Sequence, residues 1–391
     1  MKRSRILWVL WLLLAAGYCL MRNDPFGYLL LFCSFLLPLL SGFLTGRSVT
    51  YLTADLALSA GGEKNSLLAG SLLLKNRGMI SAGRLICAIR CENLLTGETE
   101  RSELIAAVRA RGQARVELGM KSRHAGRIRV TLETIRNVDP FGLFSFPVPL
   151  EREISAVTLV EPQMFGLEIQ IAYGESTNMD SDEYSMRKAG FDPSETFAIR
   201  EYRPGDQIRQ IHWKLTEKFD DLMVRDYGLP IQNTILLLLE TGRLPGSGAA
   251  DPDVMDSLAE AVVSVAQTLS ENQFVYSIGW QNHEEHSFFC QEIETEEDLR
   301  SVMPQLLGAA GGEDPFSVAE HYMETKEQLE FAHVIVFTDT HRANLSYLAE
   351  QCLLTEVVCG PGLAGYDQQD GIAVVEMDSA ALAETLAYLE I

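Results

Sequence analysis

Thr234–Glu240 reads TILLLLE and His333–Asp339 reads HVIVFTD. Each is a continuous apolar run closed by a polar residue. A strand with one face on water alternates, whereas one covered on both faces does not. The two runs therefore predict parallel strands in the interior of a sheet. The surrounding pattern alternates strand and helix. Asp253–Ser270 carries Val254, Leu258, Ala261, Val262, Val265 and Leu269 at helical spacing after an Asp-Pro-Asp start. Phe274–Trp280, Ser287–Ile293, Glu356–Cys359 and Gly371–Met377 read as further strands. Glu296–Leu307, Phe316–Leu329, Leu345–Leu353 and Ala380–Leu389 read as helices. This alternation predicts an α/β doubly wound sheet over residues 233–391.

In such a sheet ligands sit at the carboxyl ends of the strands. The element order resembles the von Willebrand factor A fold. That resemblance implies an Asp-x-Ser-x-Ser motif after the first strand, with a Thr and an Asp from later loops, together holding Mg²⁺. Here the residues after the first strand are Glu240, Thr241, Gly242, Arg243 and Leu244. Glu replaces the Asp, both hydroxyls are gone, and Arg243 brings a cation to the place of a dication. No cofactor and no metal are expected. If Mg²⁺ bound at all, the degenerate positions Glu240, Thr241 and Asp339 would be its ligands. His283-Glu-Glu-His286 lies in a polar turn without the helix that a metal-binding His pair needs. Asp251-Pro252-Asp253 reads as a helix cap.

Upstream, Ile199–Tyr227 (IREYRPGDQIRQIHWKLTEKFDDLMVRDY) concentrates Tyr202, Arg203, Pro204, Gly205, Asp206, Arg209, His212, Trp213 and Lys214. Pro-Gly predicts a tight turn. Three readings fit the charges around it. Asp206 paired with Arg203 or Arg209 makes a latch between domains, the same rigid turn presents a partner or ligand surface, or Asp206 or His212 acts as an acid/base. The spacing of Tyr202, Pro204, Gly205, Asp206, Arg209, Ile211, Trp213 and Lys214 resembles the signature of the bacterial domain of unknown function 58 family. Thr216, Glu217 and Lys218 depart from the small residue and Arg that follow in that family. Asp139-Pro140-Phe141-Gly142-Leu143-Phe144 resembles its Pro-Phe-Gly-Leu-Phe element.

Residues 47–165 carry strand-like runs, LLAGSLLLKNRG, SAGRLICAIRCENL, ELIAAVRARGQARVEL and GRIRVTLETIRN, parted by turn residues. Short strands at regular spacing predict a β-sandwich platform. Residues 166–232 read as a linker that carries the signature.

At the start of the chain, Ile6–Met21 and Phe26–Phe43 hold no charge, and Arg22, Asn23, Asp24 and Pro25 part them. Each is near the lower end of the roughly 17–25 residues that span a bilayer. Residues 1–46 thus predict a two-helix transmembrane hairpin, with Trp8 and Trp11 suited to the interface. Lys2, Arg3, Arg5 and Arg47 place both ends in the cytoplasm of a bacterial cell by the positive-inside rule.

The formal net charge of −22 over 391 residues is uneven. Asn233–Ile391 holds 28 acidic and 4 basic residues, a net of −24, so the rest stands at +2. That excludes a nucleic-acid surface in the C-terminal half and suits solubility or a basic partner. Seven cysteines without a Cys-x-x-Cys pair suit a reducing compartment.

These readings converge on a membrane-anchored, non-enzymatic adaptor for protein–protein interaction. The family resemblance implies MoxR-type AAA+ ATPases and other envelope-associated proteins, among them a transglutaminase-like protein, as partners, and a role in assembly, chaperoning or envelope stress. The alternative is a membrane-bound hydrolase using the signature region and an acidic cleft.

Overall fold

In a computed structural model the chain is described at residues 2–22, 24–170, 189–190, 196–201, 216, 223–228, 235–248, 250–325, 331–341, 345–350, 352–369 and 371–390. It divides into two compact units. The first is Met1–Gln163 with Gly248–Ala259 and Met303–Gly311, and the second is the remainder. Tyr202–Lys214 lies outside the described residues.

The first unit opens with α1 (Lys2–Arg22) and α2 (Pro25–Ser48), both long and apolar enough to cross a membrane. Asp24 starts α2, its side chain accepting from Gly27 N at 2.7 Å, with Pro25 in the first helical position. Pro38 lies inside α2. It has no N–H, so the carbonyl of Ser34 one turn earlier lacks its helical donor. The Trp8 indole N–H donates to that carbonyl at 3.1 Å, and the Trp11 indole donates to Ser34 Oγ at 2.9 Å. An unmet carbonyl in hydrocarbon costs several kcal/mol. The two tryptophans therefore tie the hairpin together, a role beyond the interfacial anchoring their position suggests.

Nine strands follow: β1 (Leu52–Leu58), β2 (Gly61–Glu63), β3 (Leu68–Asn76), β4 (Ala82–Asn93), β5 (Thr99–Val108), β6 (Gln113–Met120), β7 (Gly126–Val138), β8 (Ser145–Pro147) and β9 (Ile154–Glu161). They form one sheet in the order β1-β3-β6 and another in the order β2-β9-β7-β4-β5, with β8 on β7. Alternate residues of each sheet feed one buried cluster, including Leu72 and Leu74 from β3, Leu85, Cys87 and Ile89 from β4, and Ile128, Val130 and Leu132 from β7. The apolar run read as one strand over Glu103–Leu118 is two. Arg111 at φ 50° turns the chain between β5 and β6, and its N–H donates to Gly78 O. None of the seven cysteines is in a disulfide. Burial pushes the Cys87 thiol up to about 11.

In the second unit a seven-stranded sheet runs Ser287–Ile293, Tyr276–Asn282, Ile235–Leu239, His333–Thr338, Leu353–Gly360, Ile372–Asp378, Gly365–Gln369. The inner five strands are parallel and the two edge strands antiparallel. Ile235, the first residue of its strand, aligns with Tyr276 on one side and His333 on the other. The strands Ile235–Leu239 and His333–Thr338 are wholly buried. The first strand is an inner one: the chain goes from it to Tyr276–Asn282 on one side and later crosses to His333–Thr338 on the other, so the switch in strand order lies at its carboxyl end.

Several element ends differ from the sequence reading. The helix placed at Phe316–Leu329 is described over Val318–Thr325. Its start is fixed by a capping box, Ser317 N donating to Glu320 Oε2 at 2.7 Å and Glu320 N to Ser317 Oγ at 3.3 Å. The helix placed at Leu345–Leu353 is one turn, Ser346–Ala349, because Leu353 already pairs with His333 in the sheet. The helix placed at Ala380–Leu389 shrinks to Leu382–Thr385. Tyr388–Glu390 leaves it to pair in parallel with Glu168–Gln170, at the start of the segment read as linker.

Candidate functional site

The strand Ile235–Leu239 delivers Glu240 and Thr241 to the switch point, each about 97% buried or more. Glu240 N continues the ladder to Phe337 O at 2.9 Å. Its carboxylate accepts from Gly242 N at 2.9 Å through Oε1 and from Val318 N at 2.9 Å through Oε2. Val318 opens a helix, whose first N–H groups have no partner within the helix and favour an anion. Thr241 Oγ1 donates to Gln281 O at 2.6 Å. Arg243 reaches Asp339 Oδ2 at 3.1 Å, the two side chains only 13% and 18% exposed. Gly242–Arg243 pairs in parallel with Gly312–Glu313.

The three degenerate positions Glu240, Thr241 and Asp339 thus gather at one end of the sheet, together with Arg243. Each of these side chains is already engaged. Both carboxylate oxygens of Glu240 hold backbone amides, the Thr241 hydroxyl gives its proton to a carbonyl, and a guanidinium occupies Asp339. Mg²⁺ needs oxygens in near-octahedral array, and this donor set does not fit it. Among the described residues no three His, Cys, Asp or Glu side chains come together to hold a metal ion.

Beside this closed end lies a string that the sequence did not announce. Asp314, 8% exposed, accepts from Phe316 N at 2.9 Å. Its other oxygen lies 2.8 Å from His321 Nε2 and 3.6 Å from His283 Nδ1. Gly242 and Gly312 make room for the His283 ring. A Cβ on Gly312 would sit 2.8 Å from His283 Cβ, and one on Gly242 would sit 3.2 Å from His283 Nε2. Burial lowers the His283 pKa, Asp314 works against that, and His321 and His286 add to it. Of the His-Glu-Glu-His run, only His283 belongs to this string. Asp314 and His321 lie seven residues apart in one loop–helix stretch, and His283 comes from a distant turn.

A second polar cluster belongs to the first unit. His124, 4% exposed, stands between two carboxylates, Nδ1 at 2.6 Å from Glu98 Oε2 and Nε2 at 2.9 Å from Asp253 Oδ1. Arg123 reaches the same Asp253 oxygen at 2.8 Å. Asp256 accepts from Lys64 Nζ at 2.5 Å and from Ala125 N at 2.6 Å. Burial alone would lower the His124 pKa, but hydrogen bonds to Asp253 and Glu98 outweigh it and the net shift is upward. Hydrogen bonding to His124 and the nearby Arg123 hold Asp253 below the usual carboxylate range.

No curated protein matches the chain. Among solved structures, the CARDB domain of a Pyrococcus furiosus protein in complex with di-metal ions aligns at 13% identity, covering 28% of this chain and 91% of that one, with a TM-score of 0.22. A β-glucosidase from Listeria innocua aligns at 12% identity over 28% of this chain and 16% of its own length, with a TM-score of 0.21. An alkylpurine DNA glycosylase of Pseudomonas fluorescens aligns at 14% identity over 38% and 41%, also at 0.21. Residues 198–346 match the model of the family described as protein of unknown function DUF58. That span takes in the Tyr202–Lys214 signature, the first parallel strand with Glu240, and the His333–Thr338 strand with Asp339, and over it the chain matches the DUF58 family.

Proposed function

We propose that this protein is a membrane-anchored adaptor with no catalytic role. A transmembrane hairpin holds both ends of the chain in the cytoplasm, a β-sandwich stands on it, and a von Willebrand A-like domain presents the contact surface. One observation carries the reading. The strand ends where an α/β sheet binds its ligand are closed from within, by Glu240 on two backbone amides and by Arg243 on Asp339. A site sealed in this way is rigid and offers its rim to a partner instead of its interior to a substrate. The inner position of the first strand, between two parallel neighbours, supports the von Willebrand A-like assignment. The basic residues Lys2, Arg3, Arg5 and Arg47 support the orientation. The partner proposed is a MoxR-type AAA+ ATPase, which the family resemblance implies, with other envelope-associated proteins.

The test is affinity capture of the full-length protein from its native membrane after mild cross-linking. An ATPase of that class is expected with the wild type and lost with Asp206→Ala and Arg209→Ala at unchanged melting temperature. A wild-type capture that lacks any such ATPase overturns the adaptor reading.

The string His283–Asp314–His321 favours the second reading, a membrane-bound hydrolase. A carboxylate between two imidazoles can hold and pass a proton. Among the described residues no hydroxyl or thiol bonds to either ring, so the nucleophile would be water. Turnover of any ester or phosphoester panel substrate by the wild type, lost in His283→Gln, would establish it.

A further inference from the structure

Asp139–Phe144, the loop that resembles the family's Pro-Phe-Gly-Leu-Phe element, plays no part in the site above. Asp139 is 1% exposed and shapes the loop, accepting from Phe141 N at 3.1 Å and from Phe144 N at 2.6 Å. Gly142 takes φ +70°, which a side chain would resist. The loop so held rests on the ends of both apolar helices. Arg5 Nε donates to Leu143 O at 3.0 Å. The Phe144 ring lies on Gly42, where a Cβ would come within 2.7 Å, and the Phe146 ring lies on Gly46. Asn137 Nδ2 donates to Ser48 Oγ at 2.7 Å.

Between helix and loop runs a groove of about 330 Å³, lined by Gly42, Phe43, Gly46, Phe144, Phe146 and the exposed Arg47. Phe141, three residues before Phe144 in the same loop, is 50% exposed, and Phe43 is 66% exposed. The 24 residues of α2 extend about 36 Å at 1.5 Å per residue, against about 30 Å for a hydrocarbon core. The last turns of α2, with the groove, therefore fall at the headgroup level, among Lys2, Arg3, Arg5 and Arg47. Exposed aromatics beside a cluster of cations, continuous with a lipid-facing helix, match one occupant by both polarity and charge.

We propose that this groove binds an anionic phospholipid. Arg47 takes the phosphate, the first methylenes of an acyl chain lie against Gly42, Phe43, Phe144 and Phe146, and Phe141 inserts beside them. The Pro-Phe-Gly-Leu-Phe element is then the part of the first unit that reads the membrane surface. This rests on the reading that α1 and α2 cross the bilayer.

The test uses the full-length protein in nanodiscs of phosphatidylcholine with or without phosphatidylglycerol. The photo-crosslinker p-benzoylphenylalanine replaces Phe35 in the apolar span, Phe141, Phe146 or, as a control, Ile105 on β5. Lipid adducts are expected at 35, 141 and 146 and absent at 105. Arg47→Gln should lower phosphatidylglycerol adducts at 146 about fivefold, the effect of one basic residue at an anionic surface. Adducts at 35 without any at 141 and 146 overturn the lipid site alone. No adduct at 35 overturns the spanning reading and the site with it. Equal yields for both lipids, or no change in Arg47→Gln, overturn the anionic preference. Native mass spectrometry of lipid retained by the protein without crosslinker repeats the Arg47→Gln comparison should the probe disturb packing at 146.

Discussion

His124 in the first unit and His333 in the second are both buried, and their surroundings drive them in opposite directions. His124 has a carboxylate on each ring nitrogen, and its pKa rises. His333 has a threonine hydroxyl, Thr355 Oγ1 at 2.8 Å from Nε2, and burial drives its pKa down to about 4. Burial by itself neutralises an imidazole, and burial between carboxylates charges it. The contributions of these two residues should therefore respond to pH with opposite signs.

The largest effect is expected at His333. Its folded pKa lies below the ordinary 6.5, so its contribution is whole above pH 6.5 and lost as pH falls toward 4. The gap corresponds to roughly 3 kcal/mol. Hydrogen exchange of a peptide covering 333–338 should speed up over that window in the wild type and stay flat in His333→Gln. A flat wild-type profile breaks the comparison.

Next comes Asp256→Ala, which leaves the Lys64 ammonium, 17% exposed, and the buried Ala125 N–H without their acceptor. A loss of about 2 kcal/mol is expected, measured by urea melts of the full-length protein in detergent. His124→Gln should cost about 1 kcal/mol near pH 6, because it trades a charge-assisted pair of bonds for neutral ones. Its sign sharpens the contrast. The raised His124 pKa means a contribution present below pH 6.5 and lost as pH rises through the folded value. Protection of a peptide covering 126–138 should thus weaken on the alkaline side in the wild type and not in the variant. The smallest effect, about 1 kcal/mol or less, is expected for Trp8→Phe, which leaves the Ser34 carbonyl to the relaxation of α2 around Pro38. It is read as helix content on heating in detergent micelles.

The same contrast explains how much could be read beforehand. The runs TILLLLE and HVIVFTD announced the sheet because burial on both faces is a property of one segment at a time. The uncharged runs Ile6–Met21 and Phe26–Phe43 announced the two apolar helices for the same reason. Where a partner strand decides, local pattern failed. Leu353 left a helical pattern to pair with His333, and Tyr388–Glu390 left another to pair with Glu168–Gln170. At the candidate site, Glu240, Thr241 and Asp339 were legible as strand-end residues. The His283–Asp314–His321 string was not, since it joins a turn to a distant loop–helix stretch through side chains that carry no periodicity.

The sequence by itself determined the apolar hairpin, the buried parallel strands, the acidic C-terminal half and the family signature, because each resides in the composition or spacing of a contiguous stretch. Only the tertiary structure decided that Glu240 is held by backbone amides, that Arg243 pairs with Asp339, that the His124 pKa is pushed up while that of His333 is pushed down, and that the Asp139–Phe144 loop sits at the helix ends. Those outcomes depend on which groups are brought within about 3 Å of each other and on how much water is left between them, and chain proximity encodes neither.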